Sequence, residues 1–382
     1  MKMTNGVFES HSHFRAFKRS EKVLVSTFVA ICVCTLLFGN VVQACTGIRL
    51  KAGDGTVVYA RTLEFGVDLQ SEVLVVPRRY SRTGSTPDGK NGLKWTSKYA
   101  SVGTNGEGLP ILLDGVNEKG LGVGLFYFPT AASYAKYSPA KAAKTIAPWE
   151  LGSWLLENFA TVDEVKRNIG SIVVADVVLK EMGYVPPVHV VVHDASGRSI
   201  VIEYVDGRLH VYDDLLGVIT NAPSFDWQMT NLRNYVNFSI VNVPPVHLGP
   251  ITLVGFGQGT GMLGLPGDIT PPARFVRAVA YTSSVLPSAT GDDAVLQAFH
   301  ILNNFDIPKG SAREDQKDQY GNIIADYTLW TAASNLKERK YYFRTYQNSQ
   351  IRSVDLMKMP VDPKDITKIS MKGAEVIKSM NP

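Results

Sequence analysis

Cys45 is where this chain concentrates its chemistry. It follows Val42-Gln43-Ala44, and small residues three and one places before a bond are what signal peptidase recognises. Cleavage after Ala44 leaves Cys45 at the N-terminus, which joins its thiol to an α-amine of pKa about 7.7–8.0. An N-terminal nucleophile needs that pair, because the amine can take the thiol's proton without a separate histidine. The other cysteines, Cys32 and Cys34, leave with the segment removed. No internal disulfide is then available, and the remaining thiol is either an intermolecular partner or a reactive group. An idle exposed thiol is a liability in an oxidising compartment, which favours a use for it.

The segment before Cys45 carries Lys18, Arg19 and Lys22, then the 17-residue apolar run from Val23 to Gly39. That run is at the lower limit of a membrane span, about 17–25 residues, and within reach of a long signal core. The expectation is a cleaved signal over residues 1–44, a catalytic domain over 45–382 and export to the periplasm or medium. No stable membrane anchor then remains after processing. Two other readings stay open. An uncleaved anchor would keep the Cys45 nitrogen in a peptide bond. A lipoprotein signal would consume thiol and amine together and leave a non-catalytic binding module; Gln43 fits that signal poorly.

Other chemistry-bearing residues are fewer. Arg61 and Glu64 follow Cys45 at 16 and 19 residues, across an Asp54-Gly55 turn. A hairpin there would return both beside the thiol. The arginine would favour thiolate, and the carboxylate could hold the α-ammonium. Surface Arg and Glu on a hairpin are the plain alternative. Gly259, Gly261 and Gly264 satisfy GxGxxG, but Pro266-Gly267-Asp268 stands where a helix should open, so a structural or substrate-lining loop is expected. His189 and His193 share one face of a strand-like run without further ligands for zinc. The net charge of +4 is unclustered, so neither a nucleic-acid stripe nor a basic tail is present.

The elements that must position these residues follow from pattern. Residues 47–52 and 56–64 are β-branched runs around Gly53-Asp54-Gly55, a hairpin signal. Residues 71–77 and 100–128 read as strands, and 79–98 as polar loop. Helices are expected from Pro148 and from Thr161, where Thr161-Val162-Asp163-Glu164 forms a capping box. Strands return over 189–214 and 217–220, and a helix follows Ser224 to about residue 238. Residues 240–270, rich in Gly and Pro, read as an extended loop. Helices over 270–285 and 292–305 precede closing strands at 328–333, 340–346 and 351–357. Strands and helices in alternating blocks indicate a layered α+β protein of antiparallel sheets covered by helices.

From Cys45 to about Asn348 the chain resembles the choloylglycine (bile-salt) hydrolase and penicillin V acylase family. The matching stretches are CTGIRLKAGDGTVVYARTLEF, DGVNEKGLGVGLFYFP, GVITNAPSFDWQMTNL and GQGTGMLGLPGDITPPARFVRA. The resemblance implies the four-layer αββα sandwich of N-terminal-nucleophile hydrolases, with no metal or cofactor. It implies Cys45 as nucleophile, Arg61 beside the thiolate, and Glu64 where family members often carry aspartate, with equal charge and longer reach. Asn221 is similar to the oxyanion-hole asparagine, Asn117 to the residue whose backbone N–H joins that hole, and Arg274 to the second arginine of the site. A small N-acyl amide is the implied substrate. An asparagine at position 117 is similar to bile-salt hydrolases, whereas a tyrosine there is seen in some penicillin V acylases. Gram-negative relatives add acyl-homoserine-lactone acylases to the alternatives. Leu63, Phe65, Phe126, Tyr127 and Phe128 could line an acyl pocket or simply pack the core. Family members are often tetramers, and residues 240–270 are a candidate for assembly.

Overall fold

The computed structural model describes residues 44–317, 321 and 323–381. The signal expected over 1–44 thus lies outside the described residues except for Ala44.

The Asp-Gly turn forms as expected. Gly55 takes φ 80°, a left-handed value that glycine adopts at no steric cost. Asp54 caps the turn by accepting from the Thr56 N–H at 2.8 Å. The strands it joins, Cys45–Lys51 and Val57–Phe65, pair antiparallel, with Cys45 opposite Leu63 and Gly47 opposite Arg61. Every residue of Val57–Phe65 is buried, because this strand is covered on both faces.

One sheet runs in the order Val218–Ile219, Cys45–Lys51, Val57–Phe65, Ile323–Asn335, Lys340–Thr345, Asn348–Asp355, with Ala312–Lys317 also pairing on Ile323–Asn335. The second runs Arg208–Asp213, Ser199–Val205, Val188–His193, Gly122–Tyr127, Asp114–Asn117, Ser101–Thr104, Glu72–Val76, Thr367–Ser370. Their ladders are antiparallel.

Strand alternation divides the apolar residues into layers. Tyr59, Val102, Val116, Phe126, Val191 and Val201 share one core with Phe275 and Ala278 of helix Pro271–Ser284 and with Val295 and Phe299 of helix Gly291–Leu302. Their alternates Val123, Leu125, Val190, Val192 and Ile202 join a second core with Trp154 and Leu155 of helix Leu151–Asn158 and Val165 of helix Val162–Asn168. The molecule is the α+β, αββα sandwich that the resemblance implied. Thr161 caps its helix as expected, accepting from the Glu164 N–H at 3.2 Å.

Four segments differ from expectation. The polar stretch 79–98 contains a small hairpin, Ser81–Thr83 with Lys94–Thr96. Residues 240–270 are not wholly irregular: Val246–Leu248 and Ile251–Leu253 pair as an exposed arm. Ala312–Lys317 and Thr367–Ser370 are strands that carry little apolar signal of their own. Both are recruited by pairing with an apolar neighbour, and such pairing is invisible to local pattern.

Candidate active site

Cys45 opens its strand in the interior of the sandwich, 3% exposed. Its backbone nitrogen donates to Asn221 Oδ1 at 2.8 Å. The same oxygen accepts from Arg274 Nη2 at 2.6 Å, and two donors at one atom fix the orientation of the amide. Asn221 Nδ2 donates to the Tyr127 carbonyl at 2.7 Å, which leaves its second hydrogen for another acceptor. Four segments remote in sequence therefore meet at the nitrogen of Cys45.

Arg274 reaches this point from the first turn of helix Pro271–Ser284. Its Nη1 donates to the Cys45 carbonyl and to Thr46 Oγ1, the latter at 2.9 Å, and its Nε to the Ile269 carbonyl at 2.9 Å. Burial lowers this guanidinium to about 10, with the charges of Glu64 and Cys45 opposing the shift.

Arg61 is fully buried, with its guanidinium carbon 4.1 Å from the centre of the Phe126 ring and 5.3 Å from that of Trp330. The aromatic faces offset part of its desolvation. Nε and Nη1 donate to the carbonyls of Thr62 and Leu125, while Nη2 has no partner among the described residues. Gly47, opposite Arg61, makes room for Phe126 beneath it. A Cβ at Gly47 would lie 2.6 Å from Phe126 Cζ and 2.8 Å from Ile219 Cγ2.

Glu64 is buried, with Oε1 accepting from Thr328 Oγ1 at 2.9 Å and Oε2 unpartnered among the described residues. Burial pushes its carboxyl up to about 7, against the lowering effect of Arg274. Burial also raises the Cys45 thiol, opposed chiefly by Arg61; Glu64 adds to the rise, and the Glu64 N–H and Arg274 oppose it. That Glu64 N–H donates to the Ala44 carbonyl at 2.9 Å.

A cleft opens beside the thiol, lined by Cys45, Leu63, Phe65, Ile111, Tyr127 and Trp149 among others. Of the apolar residues singled out in sequence, Leu63, Phe65 and Tyr127 face it. Phe126 instead lies under Arg61, and Phe128 stacks on His189 at 4.2 Å between centroids. His189 and His193 belong to the buried core, and the Gly255–Gly261 run lies in the exposed arm.

Asn117 is a correction. Its N–H is spent on the Leu121 carbonyl at 3.0 Å, and its side chain donates to the carbonyls of Leu156 and Phe159. It shapes the turn between two strands and does not line the cleft. The residue of this segment that meets Asn221 is Tyr127. The physical reason is register: Asp114–Asn117 and Gly122–Tyr127 are successive antiparallel strands, so only the far end of the second reaches the thiol. The substrate reading attached to Asn117 loses its basis. Thr46, also missed in sequence, carried no signal beyond its place after Cys45.

A model of the "linear amide C–N hydrolases, choloylglycine hydrolase family" matches residues 45–369. The chain belongs to the choloylglycine hydrolase family. It is an enzyme of the linear-amide hydrolase class, and the family match begins at Cys45, consistent with an N-terminal cysteine nucleophile. Relatives within the family include a bile salt hydrolase/transferase of Clostridium perfringens, 33% identical over 84% of this chain and 95% of the relative. A penicillin V acylase of Pectobacterium atrosepticum is 28% identical over 91% and 90%. A variant of conjugated bile acid hydrolase from Clostridium perfringens superposes with a TM-score of 0.78 at 32% identity, covering 88% of this chain and 100% of the other.

Proposed function

We propose that this protein is exported, cut after Ala44, and hydrolyses the amide bond of conjugated bile salts with Cys45. The observation that carries the mechanism is the nitrogen of Cys45, held at 2.8 Å by Asn221 Oδ1 inside a buried charged site. In the uncut chain that nitrogen is an amide without basicity. Cleavage makes it an amine, within the same pocket as the Glu64 carboxyl and the thiol.

The amine takes the thiol proton, and the thiolate attacks the substrate carbonyl carbon. The C–S bond forms and the carbonyl becomes an oxyanion, which receives the free Asn221 Nδ2 hydrogen. Loss of such a donor costs roughly 10²–10³ in rate. In place of Asn117 we assign the second donor to the Tyr127 backbone. Phe128 directs its N–H to Pro187 on one side of the strand, while Leu125 directs its own to Leu113 on the other. Alternation places the Tyr127 N–H on the Leu125 side, with the carbonyl that holds Asn221. The C–N bond then breaks as the ammonium protonates the leaving amine. Water, deprotonated by the same amine, attacks the thioester, frees the acid and restores the thiol.

The bile-salt reading is supported by the relatives and by the largely apolar lining of the cleft beside the thiol, the kind of surface that small-molecule sites present. Tyr127 supports a second reading, penicillin V, because tyrosine rather than asparagine meets the thiol's cleft. The exposed arm at Val246–Leu253 supports assembly into a homo-oligomer, with a tetramer as the expected form.

Amine release from glycocholate, taurocholate and penicillin V, measured side by side with Cys45→Ala as blank, tests the reading. Glycine or taurine release supports bile salts, and preference for penicillin V replaces them. An intact mass beginning at Cys45 is expected, and a diacylglyceryl gain would establish the lipoprotein instead.

A further inference from the structure

His189 and Glu203 take no part in the hydrolytic scheme, yet both are tied to the turn that carries Asn221. They lie on the paired strands Val188–His193 and Ser199–Val205, 2% and 0% exposed. His189 Nδ1 is 2.9 Å from Glu203 Oε1, and Nε2 is 3.0 Å from the Thr220 carbonyl oxygen. A carbonyl only accepts, so Nε2 carries a hydrogen and donates it. Glu203 accepts from the Phe225 N–H, at 3.0 Å to Oε1 and 3.2 Å to Oε2. The imidazole is held in plane by Phe128, stacked at 4.2 Å and 4°, and edge-on by Phe126 at 6.3 Å.

The resulting chain of hydrogen bonds runs from Thr220 through His189 and Glu203 to Phe225. It anchors the backbone on both sides of Asn221. Two ionisable groups buried between sheets are costly to desolvate, and an apolar pair would fill the same volume without that cost. What an apolar pair lacks is a grip on the Thr220 carbonyl and the Phe225 N–H.

We propose that His189 and Glu203 are positioning residues for acyl transfer, holding the Thr220–Phe225 turn so that the Asn221 amide stays aimed at the oxyanion. The inference rests on the oxyanion role assigned to Asn221 above. Displacement of such a donor by about 1 Å is enough to cost on the order of 10²-fold in rate.

The test is steady-state kinetics on whichever substrate the wild type turns over, normalised to the Cys45 thiol that iodoacetamide alkylates. His189→Phe keeps the stack on Phe128 and removes the donor to Thr220. Glu203→Leu removes the acceptor for Phe225. Glu203→Gln keeps the chain connected and gives up only the Phe225 contact to Oε1, since its carbonyl in the place of Oε2 still accepts from Phe225 while its amide in the place of Oε1 donates to Nδ1 of a neutral ring. His189→Phe and Glu203→Leu are expected to lower kcat per titrated thiol by about 10²-fold with little change in KM. Glu203→Gln is expected to stay near wild type. Wild-type kcat per thiol in His189→Phe would overturn the proposal, as would Glu203→Gln losing as much as Glu203→Leu. If His189→Phe does not fold, the two Glu203 variants decide. Asn221→Ala, run in parallel, separates the two levels. Full activity there removes the oxyanion assignment itself, whereas an impaired Asn221→Ala beside an active His189→Phe removes only the positioning role.

Discussion

The thiol of Cys45 is held between opposing influences. Burial and Glu64 raise it, while Arg61, the Glu64 N–H and Arg274 lower it. Arg61 is the strongest of the lowering groups, and its Nη2, without a partner among the described residues, is free to serve a thiolate. Replacing Arg61 with Met keeps the stack on Phe126 and removes the charge. In the mature enzyme this change is expected to slow iodoacetamide alkylation of Cys45 at pH 7 by about tenfold or more, which is one pKa unit. An unchanged rate would show that the α-amine alone activates the thiol. Glu64 offers a second check, in a chain whose cleavage is blocked so that no α-ammonium neutralises it. Its folded value of about 7 exceeds the ordinary 4.5, so the folded state binds more protons than the unfolded state between those values. Stability is therefore greatest below about pH 4.5 as far as this group is concerned, and falls as pH rises through 7. The loss is about 3 kcal/mol from the size of the shift. Denaturant unfolding of the uncut chain across pH 5–8 should show that decline, and Glu64→Gln should flatten it.

At the level of elements, the first hairpin and helix Pro271–Ser284 bring the charges to the thiol, and the close fit between layers sets the angle. Gly47 is the point where the nucleophile strand of one sheet meets Phe126 of the other. Gly47→Val must push away the Phe126 ring that supports Arg61. Overpacking of this kind costs about 1–3 kcal/mol, so a lower melting temperature is expected together with reduced turnover per alkylatable thiol. A variant that melts lower but turns over normally would show that Arg61 does not depend on Phe126. The hairpin, the capped helix at Thr161 and the proline-led helix at Pro271 were legible because each is specified by local residues. The Asn117 assignment went astray for a register reason. The motif DGVNEKGLGVGLFYFP spans two strands and a turn, so Asn117 at the turn and Tyr127 at the end of the second strand lie at opposite ends of the hairpin. Only pairing shows that Tyr127, ten residues beyond Asn117, is the one beside Asn221.

Across the whole molecule, the arm around Val246–Leu253 is the outlying feature. Val246, Leu248, Ile251, Leu253 and Phe256 are exposed, a concentration of apolar surface of the kind that marks association sites. Replacing Phe256 and Leu253 with Glu is expected to convert the proposed oligomer to smaller species in sedimentation velocity, without loss of the αββα body. A monomeric wild type would remove the assembly proposal. The C-terminal segment is a second whole-molecule feature. Thr367–Ser370 extends the second sheet at Glu72–Val76, and just beyond it the Met371 carbonyl accepts from Arg352 Nη1 of the first sheet at 2.8 Å. The tail thus ties the two sheets along one edge.

The sequence by itself determined the family and the layered α+β class, and it pointed to Cys45 as the nucleophile. Cys45 and the hairpin after it are encoded by adjacent residues, and local chemistry can be read locally. Arg61 and Glu64 were within reach of that reasoning because one turn returns them to Cys45. Tertiary structure alone decided which distant groups complete the site. Asn221, Arg274 and Tyr127 come from separate segments, and the resemblance could suggest the first two but misplaced the third. It also decided that His189 grips the Asn221 turn rather than serving as a bare core histidine. The reason is physical: a hydrogen bond across 31 residues, from His189 to Thr220, exists only once two sheets have closed on each other.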